Sequence, residues 1–213
     1  ASGTGSLFRV ERKMNVARIL YPVETLGPGK RIGIWLCGCH RACSGCSNPE
    51  LWEKREEYEI NCDTLAQLIY KIANQHEVDG FTITGGEPMN QAEALQSLLP
   101  ELRKINPDIL VYSGYTLEEL RGLKSTAVET VLRQIAVLID GTYIEERNTD
   151  ALLRGSDNQK IWLLDEQQRG RYAAYMEKAH NQIQNFTGRD GIISVGIHKP
   201  GFMNELTNIM NKD

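Results

Sequence analysis

The chain has 213 residues, 41% of them hydrophobic and 24% charged, with a formal net charge of −4. That length suits one domain with a buried core, and the slightly acidic balance gives no attraction to nucleic acid or an anionic membrane surface. No apolar run is long enough for a membrane helix, and five cysteines without a secretion signal favour a reducing cytoplasm over a disulfide scaffold.

Residues 1–6 are all small or polar and read as a cloning remnant. Residues 1–13 therefore stand outside the expected fold; Met14 reads as a natural start, with 7–13 left open. Residues 31–36 (RIGIWL) follow the turn Gly27-Pro28-Gly29 and are expected to form a strand. Residues 63–75 carry Leu65, Leu68, Ile69 and Ile72 at helical spacing, with Asp63 as N-cap. Residues 81–84 read as a second strand ending at Gly85-Gly86. Residues 91–105 form a helix with Leu95, Leu98, Leu99 and Leu102 on one side and a kink at Pro100. Strand three covers 108–112, a helix starts near Thr116, another spans 127–134, and strand four covers 136–139. Strand five is 160–164, residues 167–184 are helical, strand six is 192–197, and a short helix closes the chain at 204–211.

Strand and helix alternate almost throughout, which implies an α/β fold with a parallel sheet under outer helices. With roughly six strands the sheet curves into an incomplete barrel without closing eightfold. Residues 14–164 form the core, and 165–213 are an extension that completes the sheet. Ligands of such sheets bind beyond the carboxyl ends of the strands. The segments that fall on that rim are the cysteine loop, Gly85-Gly86-Glu87-Pro88, Ser113-Gly114-Tyr115 and Asp140-Gly141-Thr142-Tyr143.

Cys39, Cys43 and Cys46 read C-x3-C-x2-C. Three thiolates so close can hold three irons of a four-iron cluster and leave the fourth without a protein ligand. Structural zinc is the rival reading, but it takes four ligands, often as two separated pairs, and no second pair exists here. Gly85-Gly86 lets backbone approach a ligand closely, Glu87 adds an acceptor for an ammonium group, and Pro88 stiffens the exit. Read alone, that turn is equally an ordinary strand-to-helix connection.

With these motifs the chain resembles the radical S-adenosylmethionine (SAM) superfamily. The resemblance implies a partial radical SAM barrel, a [4Fe–4S] cluster on Cys39, Cys43 and Cys46, and SAM as co-substrate. Reductive cleavage of SAM would then yield a 5′-deoxyadenosyl radical. Tyr21-Pro22-Val23-Glu24, the run from Tyr112 to Leu120, Leu138-Ile139-Asp140-Gly141 and the run from Leu153 to Gln159 are similar to anaerobic ribonucleotide reductase activating enzymes. Such activases abstract hydrogen from a glycine of a partner protein. The resemblance implies that Gly85, Gly86 and Glu87 hold the SAM amino group. It places Ser113 near the ribose or carboxylate, and Asp140 near the methionine end or the incoming glycine. Arg154, Ser156 and Asn158 would line the last part of the rim. It also implies a reduced flavodoxin or similar electron donor. Ser47 departs from the pattern, because related activases carry an aromatic residue there.

Two other functions compete. One is a radical SAM enzyme acting directly on a small molecule or peptide, similar to 7-carboxy-7-deazaguanine synthase. The other is a non-catalytic metal-binding adaptor. The open, incomplete barrel favours a loop delivered by a macromolecule. Elsewhere ordinary readings prevail. His40 is a solvated loop position, Cys37 and Cys62 are buried and structural, and His76 and His180 are surface residues. Trp35 and Trp162 are core, Trp52 shields the cysteine loop or packs the first helix, and 198–201 turn into the final helix. The charge run 53–57 is a solvated face.

Overall fold

The computed structural model describes residues 12–188 and 191–202. Seven strands, β1 (Lys13–Val23), β2 (Arg31–Leu36), β3 (Glu59–Asn61), β4 (Gly80–Gly85), β5 (Ile109–Ser113), β6 (Val137–Asp140) and β7 (Lys160–Leu163), form one sheet in the order β3-β1-β2-β4-β5-β6-β7. The central strands β2, β4, β5 and β6 run parallel. On the flanks β1, β3 and β7 pair antiparallel. The expected set of about six parallel strands is thus corrected to four. For β7 the reason is the connection. Residues 141–159 stay at the carboxyl end of β6, with a 3-10 turn at Glu145–Arg147 as their helical element, so the chain re-enters from that end. A parallel return needs a crossover to the opposite end.

Both faces of the central strands are buried, as expected of parallel strands with continuous apolar runs. Side chains alternate between two cores. Ile32, Ile34, Phe81, Ile83, Ile109, Val111 and Leu138 face the helices α1 (Cys62–Gln75), α2 (Ala92–Ile105), α3 (Leu117–Gly122) and α4 (Thr126–Gln134). Each helix buries one apolar stripe, as Leu95, Leu98, Leu99 and Leu102 do in α2. α2 runs from Ala92 to Ile105 with Pro100 inside it. Asn61, not Asp63, caps α1: its side chain accepts from the Asp63 amide at 2.8 Å. A capping box of Thr116 and Glu119 opens α3.

The opposite sheet face is covered by the C-terminal extension. Tyr172 of α5 (Arg169–Lys178) is buried against Leu110, Val137 and Ile139. Strands β8 (Ile183–Gly188) and β9 (Gly191–Gly196) form a separate antiparallel hairpin, and its Val195 packs with Val23, Leu26, Trp35 and Leu51. Two expectations are corrected here. The helix expected over 167–184 ends at Lys178, and the strand expected at 192–197 does not complete the sheet. Strands only two residues apart in sequence pair with each other first. The helix expected at 204–211 lies outside the described residues. Trp162, expected in the core, is 36% exposed because β7 is an edge strand that alternates toward solvent.

Arg31 opens β2 inside an otherwise apolar layer. Its guanidinium donates to both Asp108 carboxylate oxygens (2.9 and 3.1 Å) and to Thr82 Oγ1 (2.8 Å). The Tyr172 hydroxyl donates to Asp108 Oδ1 at 2.8 Å, and Arg171 lies 3.3 Å from Asp108 Oδ2. This cluster ties the extension to the amino end of the sheet, opposite the rim.

Candidate functional site

Beyond Leu36 the chain turns at Gly38 (φ 97°) and is tethered by main-chain bonds. Cys37 N–H donates to Asn15 O (3.0 Å), Gly38 N–H to Leu51 O (2.9 Å) and Cys39 N–H to Trp52 O (2.8 Å). Gln91, buried, donates its side-chain amide to Cys37 O at 2.9 Å and accepts from Asn15 N–H at 2.8 Å. The loop then turns through Ala42 (φ 44°) and Gly45 (φ 68°), and Cys46 N–H donates to Cys43 O at 3.2 Å.

The turn after β4 is joined to this loop. Gly86 N–H donates to Leu36 O (2.7 Å) and Glu87 N–H to Gly38 O (2.9 Å). A Cβ on Gly85 (φ +106°) would lie 2.4 Å from Leu36 O, and one on Gly86 would lie 2.7 Å from Gly38 O. Both glycines therefore let two backbones touch, whatever they do for a ligand. Gly85→Ala or Gly86→Ala is expected to destabilise the chain by about 1–3 kcal/mol. Urea unfolding checks this, and wild-type midpoints in both variants would contradict it.

Glu87 is buried and accepts from the Met89 amide (2.9 Å), the Ser113 hydroxyl (2.9 Å) and the Gly114 amide (2.7 Å). A carboxylate has about four acceptor sites, so about one remains. Burial pushes the Glu87 carboxyl above its ordinary range; the amides, the Ser113 hydroxyl and the Arg41 charge pull against that.

Cys39, Cys43, Cys46, Gly85, Gly86, Glu87 and Ser113 all line one cavity of about 190 Å³. A second, larger cleft of about 630 Å³ shares Cys43, Cys46, Trp52, Tyr143, Ser194 and His198 with it. Asp140 is not brought there. Its Oδ2 accepts the Leu117 amide (2.6 Å) and its Oδ1 the Lys160 amide (3.3 Å), so it fixes α3 and β7 while Gly141 reaches the cavity. Arg154, Ser156 and Asn158 stand behind the wall. Ser156 Oγ accepts Ile144 N–H, Asn158 donates to Thr142 O, and Gly155 and Gln159 line the cavity instead. His198, for which the sequence leaves open either a turn into the final helix or a place on the rim, lines both cavities. His40 is exposed and Cys37 is buried beside Trp35 and Leu51, as expected.

Arg41 was not singled out by the sequence, although its place between two cysteines was a signal. Its guanidinium stacks 4.2 Å from the Tyr115 ring centroid and reaches Thr142 Oγ1 and, at 3.4 Å, Glu119. Two buried donors on the cavity wall, Arg41 Nε and Trp52 Nε1, have no acceptor among the described residues. An unsatisfied buried donor costs about 1–3 kcal/mol, so the site fits a group rich in acceptors. Burial pushes the Cys43 thiol up and Cys46 and Cys39 push the same way, against the Tyr143 amide, which donates to it. Cys46 Sγ accepts the Asn48 amide at 3.4 Å. Among the described residues no three His, Cys, Asp or Glu side chains converge on one ion position. Three thiols lining one cavity are a donor set that fits a multi-iron cluster, each thiol meeting a different iron.

A cysteine-rich loop on the rim of an α/β sheet is the architecture of an iron–sulfur domain. The family model described as a 4Fe-4S single cluster domain matches residues 25–162. The anaerobic ribonucleoside-triphosphate reductase-activating protein of Enterobacteria phage T4 is 32% identical over 154 residues, 70% of this chain and 94% of that protein. Its namesake from Pasteurella multocida is 32% identical over 150 residues (67% and 93%), and that of Escherichia coli K12 is 29% identical over 148 residues (66% and 94%). The chain belongs to the family of these reductase-activating proteins, built on a 4Fe-4S single cluster domain. No helix among the described residues is long and apolar enough to cross a membrane.

Proposed function

We propose that this chain is a radical SAM activase that installs a radical on a glycine of a partner enzyme of the anaerobic ribonucleotide reductase type. The observation that carries the reading is the shared cavity: three thiols and a buried carboxylate on one wall, with two donors awaiting an acceptor. A [4Fe–4S] cluster with SAM supplies one electron and a 5′-deoxyadenosyl radical able to take hydrogen from carbon. In this reading Cys39, Cys43 and Cys46 hold the irons, and the metal cations offset the mutual repulsion of three adjacent thiolates. Trp52 Nε1–H and Arg41 Nε–H donate to the sulfides or to the SAM carboxylate. Gly85 and Gly86 keep the turn close, and the last acceptor site of Glu87 takes the SAM ammonium. Ser113 orients Glu87 rather than meeting the ribose, and Asp140 has a structural part. The names of the relatives support a protein target.

Anaerobic incubation of the iron-loaded chain with dithionite and SAM is expected to yield methionine and 5′-deoxyadenosine. With the partner present, a glycyl doublet should appear by electron paramagnetic resonance. An intact cluster that leaves SAM uncleaved would overturn the reading. One observation favours direct action on a small molecule: the hairpin supplies part of the wall of a cavity that the incomplete barrel was expected to leave open. Cleavage without radical transfer to any protein supports that alternative.

Glu87→Gln is expected to weaken SAM binding about 10- to 100-fold, the equivalent of one charge-assisted hydrogen bond. The raised carboxyl also sets a pH dependence. The folded chain binds this proton more tightly than the unfolded chain does. Stability therefore falls as pH rises from the ordinary carboxylate range through the raised value, and the full cost is present above it. Urea midpoints from about pH 4.5 to about 7.5 should show wild type losing stability relative to Glu87→Gln. A pH-independent difference between the two would contradict this.

A further inference from the structure

The extension does more than cover the sheet. Five consecutive residues, Ser194 to His198, line the same inner cavity as the thiols and Glu87, yet they lie outside the 25–162 segment that matches the family model. The hairpin that carries them is fastened to the β1–β2 side. Thr25 Oγ1 donates to Val195 O (3.2 Å), Gln184 donates to Pro22 O (2.8 Å), and Gln184 Oε1 accepts Glu24 N–H (3.0 Å). His198 is held through both its ring and its main chain. Its Nε2 lies 2.9 Å from Ser194 Oγ, its plane packs 4.4 Å from the Phe202 centroid, and its carbonyl accepts from Asn148 at 2.8 Å.

The chemistry of the cavity differs between its walls. The thiols and Glu87 present ligands for iron and for a cation. The remaining wall combines Val195 and Ile197 with Leu26, Trp35 and Tyr112, edged by the Ser194 hydroxyl and the His198 imidazole. Apolar and aromatic surface with a neutral hydrogen-bonding edge suits a flat heteroaromatic ring and its sugar, not a charged group. Ser47 lines the same cavity.

We propose that Ser194 and His198 form the nucleoside half of the SAM site, gripping the adenosine portion while the Glu87 end holds the amino-acid portion. This rests on the SAM reading of the cavity given above. Affinities of the iron-loaded full chain for SAM, 5′-methylthioadenosine and methionine, measured by titration calorimetry, test it. Ser194→Ala and His198→Ala should each weaken SAM and methylthioadenosine at least about tenfold and leave methionine within about twofold. Glu87→Gln should do the reverse, weakening SAM and methionine only. His198→Gln, which keeps a hydrogen-bonding group beside Ser194, should recover most of the loss, a rescue that a merely structural role would not give. Wild-type affinity for methylthioadenosine in the Ser194 and His198 variants overturns the proposal and leaves the SAM reading standing. Failure of the wild-type chain to bind SAM overturns both.

Discussion

Exchange of any one of Cys39, Cys43 and Cys46 for serine is expected to leave a folded chain that cannot cleave SAM. The three residues sit on the rim and are only half-buried, so none of them carries the core. Their loop is held by main-chain bonds to Asn15, Leu51 and Trp52, which a serine does not disturb. Removing one thiolate takes away one of three anchors of the proposed cluster, and the chemistry belongs to the cofactor, not to the side chains. SAM cleavage should fall at least about a thousandfold, a loss of more than ~4 kcal/mol of transition-state stabilisation. Iron content and the visible absorption of the cluster should fall with it, while the circular dichroism of the chain stays unchanged. Cys37→Ser and Cys62→Ser are the controls. Both thiols are buried among apolar neighbours, so a hydroxyl there costs about 1–3 kcal/mol of stability. Both variants should still load iron. Full cleavage activity in a Cys43→Ser chain would contradict the assignment.

The second large effect lies at the other end of the sheet. Asp108→Asn is expected to destabilise the chain by about 3–5 kcal/mol, because it leaves the Arg31 charge buried without its counter-ion. Arg31, Asp108 and Tyr172 are each 0% exposed, so no water replaces the lost partner. Against a total stability of about 5–15 kcal/mol, that is a large share. Tyr172→Phe removes one hydrogen bond to the same carboxylate and should cost less, about 1.5–3 kcal/mol. Because Tyr172 and Arg171 belong to α5, both changes should also loosen the extension. Urea unfolding gives the energies, and hydrogen exchange over residues 169–196 reports the loosening. A loss under ~1 kcal/mol in Asp108→Asn would show that the pair is not a partnered buried charge.

The sequence made some elements legible for a physical reason. β2, β4, β5 and β6 are buried on both faces, so RIGIWL, FTIT, ILVY and AVLI stand out as continuous apolar runs. The helices α1, α2 and α4 show their stripes because each packs one face only. β1 was missed. Asn15, Arg18 and Pro22 break its apolar pattern, and its pairing with β2 shifts register twice. β3 has three residues, too few to show a period. The direction of β7 is not a local property at all; it follows from where the preceding loop travels. The hairpin shows the same limit. Residues 183–188 (IQNFTG) carry no apolar alternation, and the first two of them fall inside the helix expected over 167–184.

The candidate site divides in the same way. The cysteines, Gly85, Gly86, Glu87 and Ser113 were readable because each follows a strand in a segment with unusual chemistry. Arg41, Trp52 and Gln91 take their parts from contacts with distant segments: Arg41 from Tyr115 and Thr142, Gln91 from Asn15 and Cys37. His198 comes from more than 150 residues beyond the cysteines, and no spacing rule connects them. Asp140 was readable as unusual but not as structural, because the Leu117 and Lys160 amides that occupy it come from other elements.

In the proposed activase, one iron of the cluster is left free for SAM. Electron–nuclear double resonance of the reduced, iron-loaded chain, mixed with SAM labelled at its amino nitrogen and carboxylate, addresses that iron directly. Coupling of both labels to one iron of a [4Fe–4S] cluster is the predicted result. A cluster whose spectrum is unchanged by labelled SAM, with a fourth protein side chain bound to iron, would contradict it.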